Sequence, residues 1–198
     1  MKNIVSVFIL FLIVFYSSCS QSSKKGFADK SVTENIQSSV AEFDINSVPI
    51  TNSEIGEYPY LSAPKGYQYT NDHNREYEEK YFFYNDSLIM TIGGQYYHTM
   101  VLPINGQEFS ETNVVKNYEE TILQLGGVLV YSGKIINIAT DLLRENSMQY
   151  AKDMYDPYPY NYKQFLIRTP KGNVWFELCY GLNTEGIDFT VVYEEKDK

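Results

Sequence analysis

Residues 164–180 are QFLIRTPKGNVWFELCY, two apolar runs separated by a short polar stretch. The runs at 164–168 and 174–180 are rich in aromatic and β-branched residues, which is typical of β-strands. Between them, residues 169–173 include the proline and glycine that are common in turns. This pattern predicts an antiparallel hairpin of two strands joined by a short turn.

Further strands are predicted on both sides of this hairpin, because short apolar runs there are bounded by turn residues. These strands lie at 80–84, 88–92, 95–102, 128–131 and 188–193. Turns are expected at Asn85-Asp86 and at Gly93-Gly94, and the polar residues 70–74 are predicted to form a loop.

One helix is predicted between the strands at 95–102 and 128–131. Apolar residues recur there at helical spacing, which stacks them on one face: Val114, Val115, Tyr118, Ile122 and Leu125. Ser110 is the expected N-cap, and Gly126-Gly127 is expected to end the helix. Residues 141–154 are a candidate for a second helix. The predicted fold class is therefore α+β, a mostly antiparallel sheet with one or two packed helices.

The first residues have the layout of a bacterial lipoprotein signal. Lys2 gives a basic start, an apolar run covers residues 4–16, and the small pair Ser17-Ser18 precedes Cys19. Such a signal is cut just before a cysteine that becomes acylated, so Cys19 is predicted to carry lipid. A retained transmembrane anchor and a plain secretory peptide are the alternatives, although the apolar run is shorter than the roughly 20 residues that cross a bilayer.

The predicted organisation has three parts. Residues 1–18 are the signal peptide, 19–45 a flexible polar tether, and 46–195 a single globular domain. An acylated Cys19 anchors such a domain to one leaflet without spanning the membrane. Ser20, directly after the cysteine, is similar to an outer-membrane sorting signal, so the outer membrane is the expected location, with leaflet and orientation left open.

The charge balance excludes one class of partner. The chain has 16 basic and 25 acidic residues, a net charge of −9. An acidic domain repels phosphate backbones, so nucleic-acid binding is not expected. With Cys19 acylated, Cys179 has no second cysteine for a disulfide, and its apolar strand context predicts a buried thiol.

Residues that could carry chemistry form no recognised catalytic or metal-binding motif. His73, in the predicted loop, and His98, on a predicted strand, are interpreted as structural. The sequence has no close histidine pair, no Cys-x-x-Cys, no phosphate loop and no dinucleotide fingerprint, so neither a metal nor a cofactor is expected. Acidic residues are plentiful, and a glycan-acting hydrolase with two facing carboxylates stays open as the alternative function.

Tyrosines are concentrated in two segments that also contain prolines. The first segment holds Tyr58, Tyr60, Tyr67 and Tyr69, and the second holds Tyr155, Tyr158, Tyr160 and Tyr162. Tyrosines on loops can stack on sugar rings or anchor a protein interface, so both clusters are candidate binding surfaces. The same side chains can instead pack their loops onto the sheet, and this second interpretation also stays open.

Three segments together resemble a known family: IGEYPYLSAPKGYQY (55–69), FSETNVVKNYEETILQLGGVLVYSGKI (109–135) and LIRTPKGNVWFELCY (166–180). They are similar to the region upstream of OmpA-like peptidoglycan-binding domains in envelope proteins of Bacteroidota, and the likeness covers most of residues 48–193. The OmpA-like module itself, with the Asp and Arg that clamp the cell-wall peptide, has no counterpart in these 198 residues. The resemblance therefore implies a compartment and a fold rather than peptidoglycan binding.

These observations predict a lipid-anchored protein of the cell envelope that works as a non-enzymatic binding or assembly module. Its expected partners are the membrane, through the lipid on Cys19, and another envelope protein or a glycan, through the folded domain.

Overall fold

The computed structural model describes residues 43–85, 88–134, 161–181 and 185–196. Its elements in chain order are a 3₁₀ turn (Ile45–Ser47), β1 (Tyr67–Asn85), β2 (Leu88–Pro103), α1 (Glu111–Gln124), β3 (Val128–Lys134), β4 (Asn161–Arg168), β5 (Gly172–Tyr180) and β6 (Ile187–Glu195). None of the helical segments within these ranges is long and apolar enough to span a bilayer.

The six strands form one sheet in the order β1-β2-β6-β5-β4-β3, and all neighbours are antiparallel. The hairpin predicted from residues 164–180 is β4 and β5, with Leu166 opposite Trp175. The α+β class with a mostly antiparallel sheet is confirmed, and strands dominate it. The part of the chain described here contains one α-helix, and the predicted second helix at 141–154 falls outside that part.

Two predictions about β1 and β2 were wrong. The polar residues 70–74, including His73, lie inside β1 rather than in a loop, and Gly93-Gly94 lies inside β2 rather than in a turn. Residues 71–77 are exposed, so they lack the apolar alternation that marks a half-buried strand. Gly94 is instead required by close approach, because a Cβ there would collide with the backbone carbonyl of Tyr193 in β6.

β1 is an edge strand that is protected against pairing with another chain. The β1–β2 register shifts between Thr70 and His73 and again between Arg75 and Glu78. Asn71 has a φ of 59°, and Asp72 accepts a hydrogen bond of 2.6 Å from the Thr99 hydroxyl, which fixes the first irregularity. Bulges and charges of this kind discourage edge-to-edge association.

Helix α1 covers one face of the sheet with the side predicted from its periodicity. Val114, Val115, Tyr118 and Ile122 are buried and pack into a core that includes Phe165, Phe176, Phe189 and Val191. Ser110 is the N-cap by its backbone conformation, although its side chain makes no capping bond. Gly126, with a φ of 89°, follows the helix end as expected.

The other face of the sheet is covered by the end of the β1–β2 hairpin. β2 pairs with β6 only from Gln95 to Val101, whereas the β1–β2 pairing continues to Asn85 opposite Leu88. This extension bends over the sheet, because the Phe83 ring lies 5.3 Å from the Tyr162 ring on β4 and 5.5 Å from the Tyr131 ring on β3. Beneath it, Phe82 and Trp175 anchor a second core.

Residues 43–64, here called the strap, connect the two faces. Phe43 packs on Trp175 in the second core, with ring centroids 6.3 Å apart. The strap then crosses the end of β4, where the Thr51 amide donates to the Arg168 carbonyl over 2.8 Å and the Thr51 hydroxyl donates to the Leu125 carbonyl. Its last part packs against the helix-side core through Tyr58, Tyr60 and Leu61.

Candidate functional site

Two of the predicted tyrosines hold the strap, the sheet and the helix together. The Tyr67 hydroxyl accepts a hydrogen bond of 3.0 Å from the Ser110 amide, next to the start of α1. The Tyr69 hydroxyl donates to the Leu61 carbonyl over 3.0 Å and accepts from the Tyr118 hydroxyl over 3.1 Å. Tyr67 and Tyr69 therefore use their polar tips inside the fold.

The second tyrosine cluster is described only at its last member. Tyr162 lies on β4, is fully buried and packs edge-on against Phe83. It belongs to the core rather than to a surface loop. Tyr155, Tyr158 and Tyr160 lie outside the described residues.

Tyr58 and Tyr60 line an open groove of about 540 Å³, here called the tyrosine groove. One wall is the strap, residues 53–58 and Tyr60; the other is the β4–β5 turn, residues 169–171, together with Tyr193 of β6. The turn was predicted from sequence, but its position beside the strap and the contribution of Tyr193 come from tertiary packing. A groove of this size is in the range of small-ligand sites.

The backbone at Tyr60 is held in an unusual conformation. Its φ of 71° lies in the left-handed region, where a bulky side chain is strained. Two short-range hydrogen bonds maintain it, from the Tyr60 amide to the Glu57 carbonyl over 2.6 Å and from the Leu61 amide to the Pro59 carbonyl over 2.9 Å. Strain of this kind persists where the surrounding structure enforces it, and it is concentrated at binding sites.

The groove tyrosines contact one another edge to face. Tyr60 lies 5.6 Å from Tyr58 at an interplanar angle of 84°, and 6.1 Å from Tyr193 at 65°. Tyr58 in turn meets Tyr97 of β2 at 6.3 Å and 81°. In a T-shaped pair the edge of one ring meets the face of the other, so each contact leaves part of the ring surface uncovered.

The groove carries both polar groups and charges of both signs. The Tyr58 hydroxyl oxygen is buried and has no hydrogen-bond partner among the residues described. Glu54, Glu57 and Lys171 are exposed at the walls. The site therefore combines aromatic surface with donors and acceptors.

Burial makes these tyrosines hard to ionise, which gives a pH prediction. Loss of solvation, with a smaller contribution from Tyr193, raises the pKa of Tyr60 to about 12, and loss of solvation raises the pKa of Tyr97 to about 12. Burial also raises the pKa of Tyr58 and Tyr118. Above pH 10.0, the ordinary pKa of a tyrosine, the unfolded chain holds fewer protons than the folded chain. The contribution of these tyrosines to the free energy of unfolding is therefore fully present below pH 10 and falls as the pH rises towards 12.

The test is urea denaturation between pH 9 and pH 12, with ultraviolet titration of the phenols in parallel. The urea midpoint should fall steadily over this window, and part of the phenol absorbance change should appear only on unfolding. A midpoint that is unchanged up to pH 12 contradicts the assigned burial.

Beneath the bent hairpin lies a row of polar residues that was not predicted from the sequence. Lys80 of β1 places its Nζ 3.0 Å from Glu177 Oε1, and both side chains are at least 98% buried. Gln164 donates to the Glu177 carboxylate and accepts a hydrogen bond of 2.6 Å from the Phe83 amide. A charged residue inside the otherwise apolar run 174–180 was the available signal, since buried charges need partners.

The same face holds a second pair, His98 of β2 and Asp188 of β6, 3.6 Å apart and buried. His98 is thus on the sheet, as predicted. Glu177 and Asp188 are two carboxylates on one face, but each is buried against a basic side chain, and the hairpin covers Glu177. Among the described residues both side chains are only 2% exposed, so they do not flank an open space that could hold a sugar. Within the described ranges there is no group of three or more residues that could hold a metal ion. The thiol of Cys179 is buried, as predicted.

Comparison with protein families, with curated proteins and with solved structures finds no match to this chain.

Proposed function

We propose that this chain is a lipid-anchored protein of the cell envelope, whose domain binds another envelope component in the tyrosine groove without catalysing a reaction. The observation that supports it best is Tyr60, a bulky residue held at a φ of 71° between two further tyrosines in an open groove. Packing alone does not call for this arrangement, because the Tyr69 hydroxyl already fastens the strap through its hydrogen bond to the Leu61 carbonyl.

The envelope location rests on the sequence. The basic start, short apolar run and small residues before Cys19 favour cleavage and acylation at that cysteine, and Ser20 favours the outer membrane. The resemblance of residues 48–193 to envelope proteins agrees with this location. The sequence places a stretch rich in polar residues between Cys19 and Phe43, which can serve as a tether between the membrane and the domain.

The anchor is tested by labelling the host cells with radioactive palmitate. The native chain should incorporate label and fractionate with membranes, whereas Cys19→Ala should be unlabelled and unprocessed at that position. Cys179→Ala is the matched control, because it removes the other cysteine and should keep the label. A Cys19→Ala chain that is labelled and processed like the native chain contradicts the lipoprotein assignment.

The groove is tested by sedimentation of the mature chain with isolated host envelopes. The chain carries Cys19→Ala, so that lipid does not contribute to pelleting. Tyr60→Ala should weaken association about tenfold or more, as loss of a central aromatic anchor does. Leu129→Ala is the control, since Leu129 is an exposed apolar side chain on β3, outside the groove. Equal pelleting of the two variants contradicts binding through the groove.

A further inference from the structure

On the basis of the function proposed above, we infer that the tyrosine groove binds an uncharged oligosaccharide chain, with Tyr60 as its central stacking platform. The shape of the space around Tyr60, the surfaces that line it and the balance of charge at its walls all favour such a ligand.

The space around Tyr60 suits an elongated ligand. A second groove of about 480 Å³ lies between the strap and α1, and it shares Glu54, Ile55, Gly56 and Tyr60 with the tyrosine groove. Tyr60 therefore has open space on two sides of the strap. A chain of several rings can pass this residue and contact both grooves, whereas a single small molecule would fill only one of them.

The surfaces fit the two-sided chemistry of a sugar ring. A pyranose has faces made of C–H groups and a rim of hydroxyl groups. Tyr58, Tyr60 and Tyr193 offer apolar ring surface for the first. The exposed side chains of Glu54, Glu57 and Lys171 offer acceptors and donors to the second. A sugar hydroxyl can both donate and accept, so it can bond to each of these groups.

The charges favour a ligand without net charge. Glu54 and Glu57 at the strap wall face Lys171 across the groove opening, and the whole chain has a net charge of −9. An acidic polysaccharide would approach one cation and be repelled by the remaining field. The hydroxyl groups of a neutral sugar can bond to carboxylates and to an ammonium group equally well, without paying for like-charge repulsion.

A protein segment is the competing occupant, and the groove suits it less. Extended peptides dock by adding to a sheet edge, and amphipathic helices dock in apolar grooves. The walls here are a strap and a turn rather than a strand edge, and the same walls carry exposed charged residues.

The test uses the mature, isotope-labelled chain with Cys19→Ala, followed by NMR and calorimetry. The probes are two neutral tetrasaccharides, cellotetraose and chitotetraose, and one acidic probe, tetragalacturonate. At least one neutral probe should bind and shift the amide signals of Gly56 and Lys171, and the acidic probe should bind at least about tenfold more weakly. Tyr60→Ala should reduce the neutral affinity about tenfold or more, whereas Leu129→Ala should leave it unchanged.

Glu57→Ala is a second variant, on the exposed wall of the groove, so the fold is preserved even if Tyr60→Ala unfolds. It should weaken binding of the neutral sugar several-fold, about what one hydrogen bond contributes. The inference is overturned if neither neutral sugar binds at roughly 10 mM, if the shifts fall outside the groove, or if the acidic probe binds as tightly. If sugars fail while envelope association still depends on Tyr60 and is destroyed by protease, the occupant is a protein and the proposed function stands. If that association fails as well, both proposals fall.

Discussion

Replacing Lys80 by methionine should lower the free energy of unfolding by about 3–5 kcal/mol, the usual cost of removing one partner from a buried ion pair. Lys80 and Glu177 are 0% and 2% exposed, with 3.0 Å between Nζ and Oε1. Methionine keeps most of the aliphatic stem, so the expected loss comes from a carboxylate that remains buried without its cation. Chemical denaturation followed by fluorescence of Trp175, which lies in the adjacent core, measures it.

Two controls make the Lys80 result specific. Lys116→Met breaks the ion pair with Glu120 on the exposed face of α1, where the side chains are 67% and 57% exposed, and should cost about 0.5 kcal/mol or less. Adding Glu177→Gln to Lys80→Met removes the stranded charge while keeping an acceptor for Gln164, and should recover at least half of the loss. If the double variant is as unstable as the single one, lost packing rather than charge is responsible.

Replacing Gly94 by alanine should cost about 2–3 kcal/mol, because it forces a methyl group into a closed backbone contact. A Cβ at Gly94 would collide with the carbonyl oxygen of Tyr193, next to the ladder pair Gln95 and Tyr193 that joins β2 to β6. The carbonyl belongs to a central strand and cannot move without opening this ladder. Thermal or urea denaturation measures the cost.

Gly93 is the matched control for Gly94. A Cβ there would meet only the end of the Tyr77 side chain, which is 63% exposed and can rotate away. Gly93→Ala should therefore be neutral, or slightly stabilising because alanine costs less conformational entropy in a strand. Equal losses for the two variants would mean that the two glycines serve a common turn, contrary to their position inside β2.

The parts of the fold with strong local patterns were predictable. The hairpin at 164–180 and the helix between Ser110 and Gly126 depend on contacts close in sequence, and both were predicted with nearly correct ends. The long hairpin of β1 and β2 was not. Residues 71–77 are exposed, so no apolar periodicity marks them. A Gly-Gly pair is compatible both with a turn and with the close approach of another strand. Only the position of the neighbouring strand distinguishes the two.

The candidate site was half predictable for a similar reason. Its composition pointed to Tyr58 and Tyr60, but the sequence could not separate them from Tyr67 and Tyr69, whose hydroxyl groups turn inwards to distant partners. Tyr193 and Lys171 join the groove only because β6 and the β4–β5 turn end beside the strap. The Lys80–Glu177 pair links residues far apart in sequence, and no local pattern could have paired them.

Site-specific photo-crosslinking in living host cells shows whether this protein binds its partner through the tyrosine groove. A photoreactive amino acid replaces either Lys171, at the groove, or Leu129, on the far edge of the sheet. We expect a defined adduct of higher mass from position 171, absent from position 129 and abolished by Tyr60→Ala. Identical adduct patterns from the two positions, or a position-171 adduct that persists in the Tyr60→Ala chain, would contradict it.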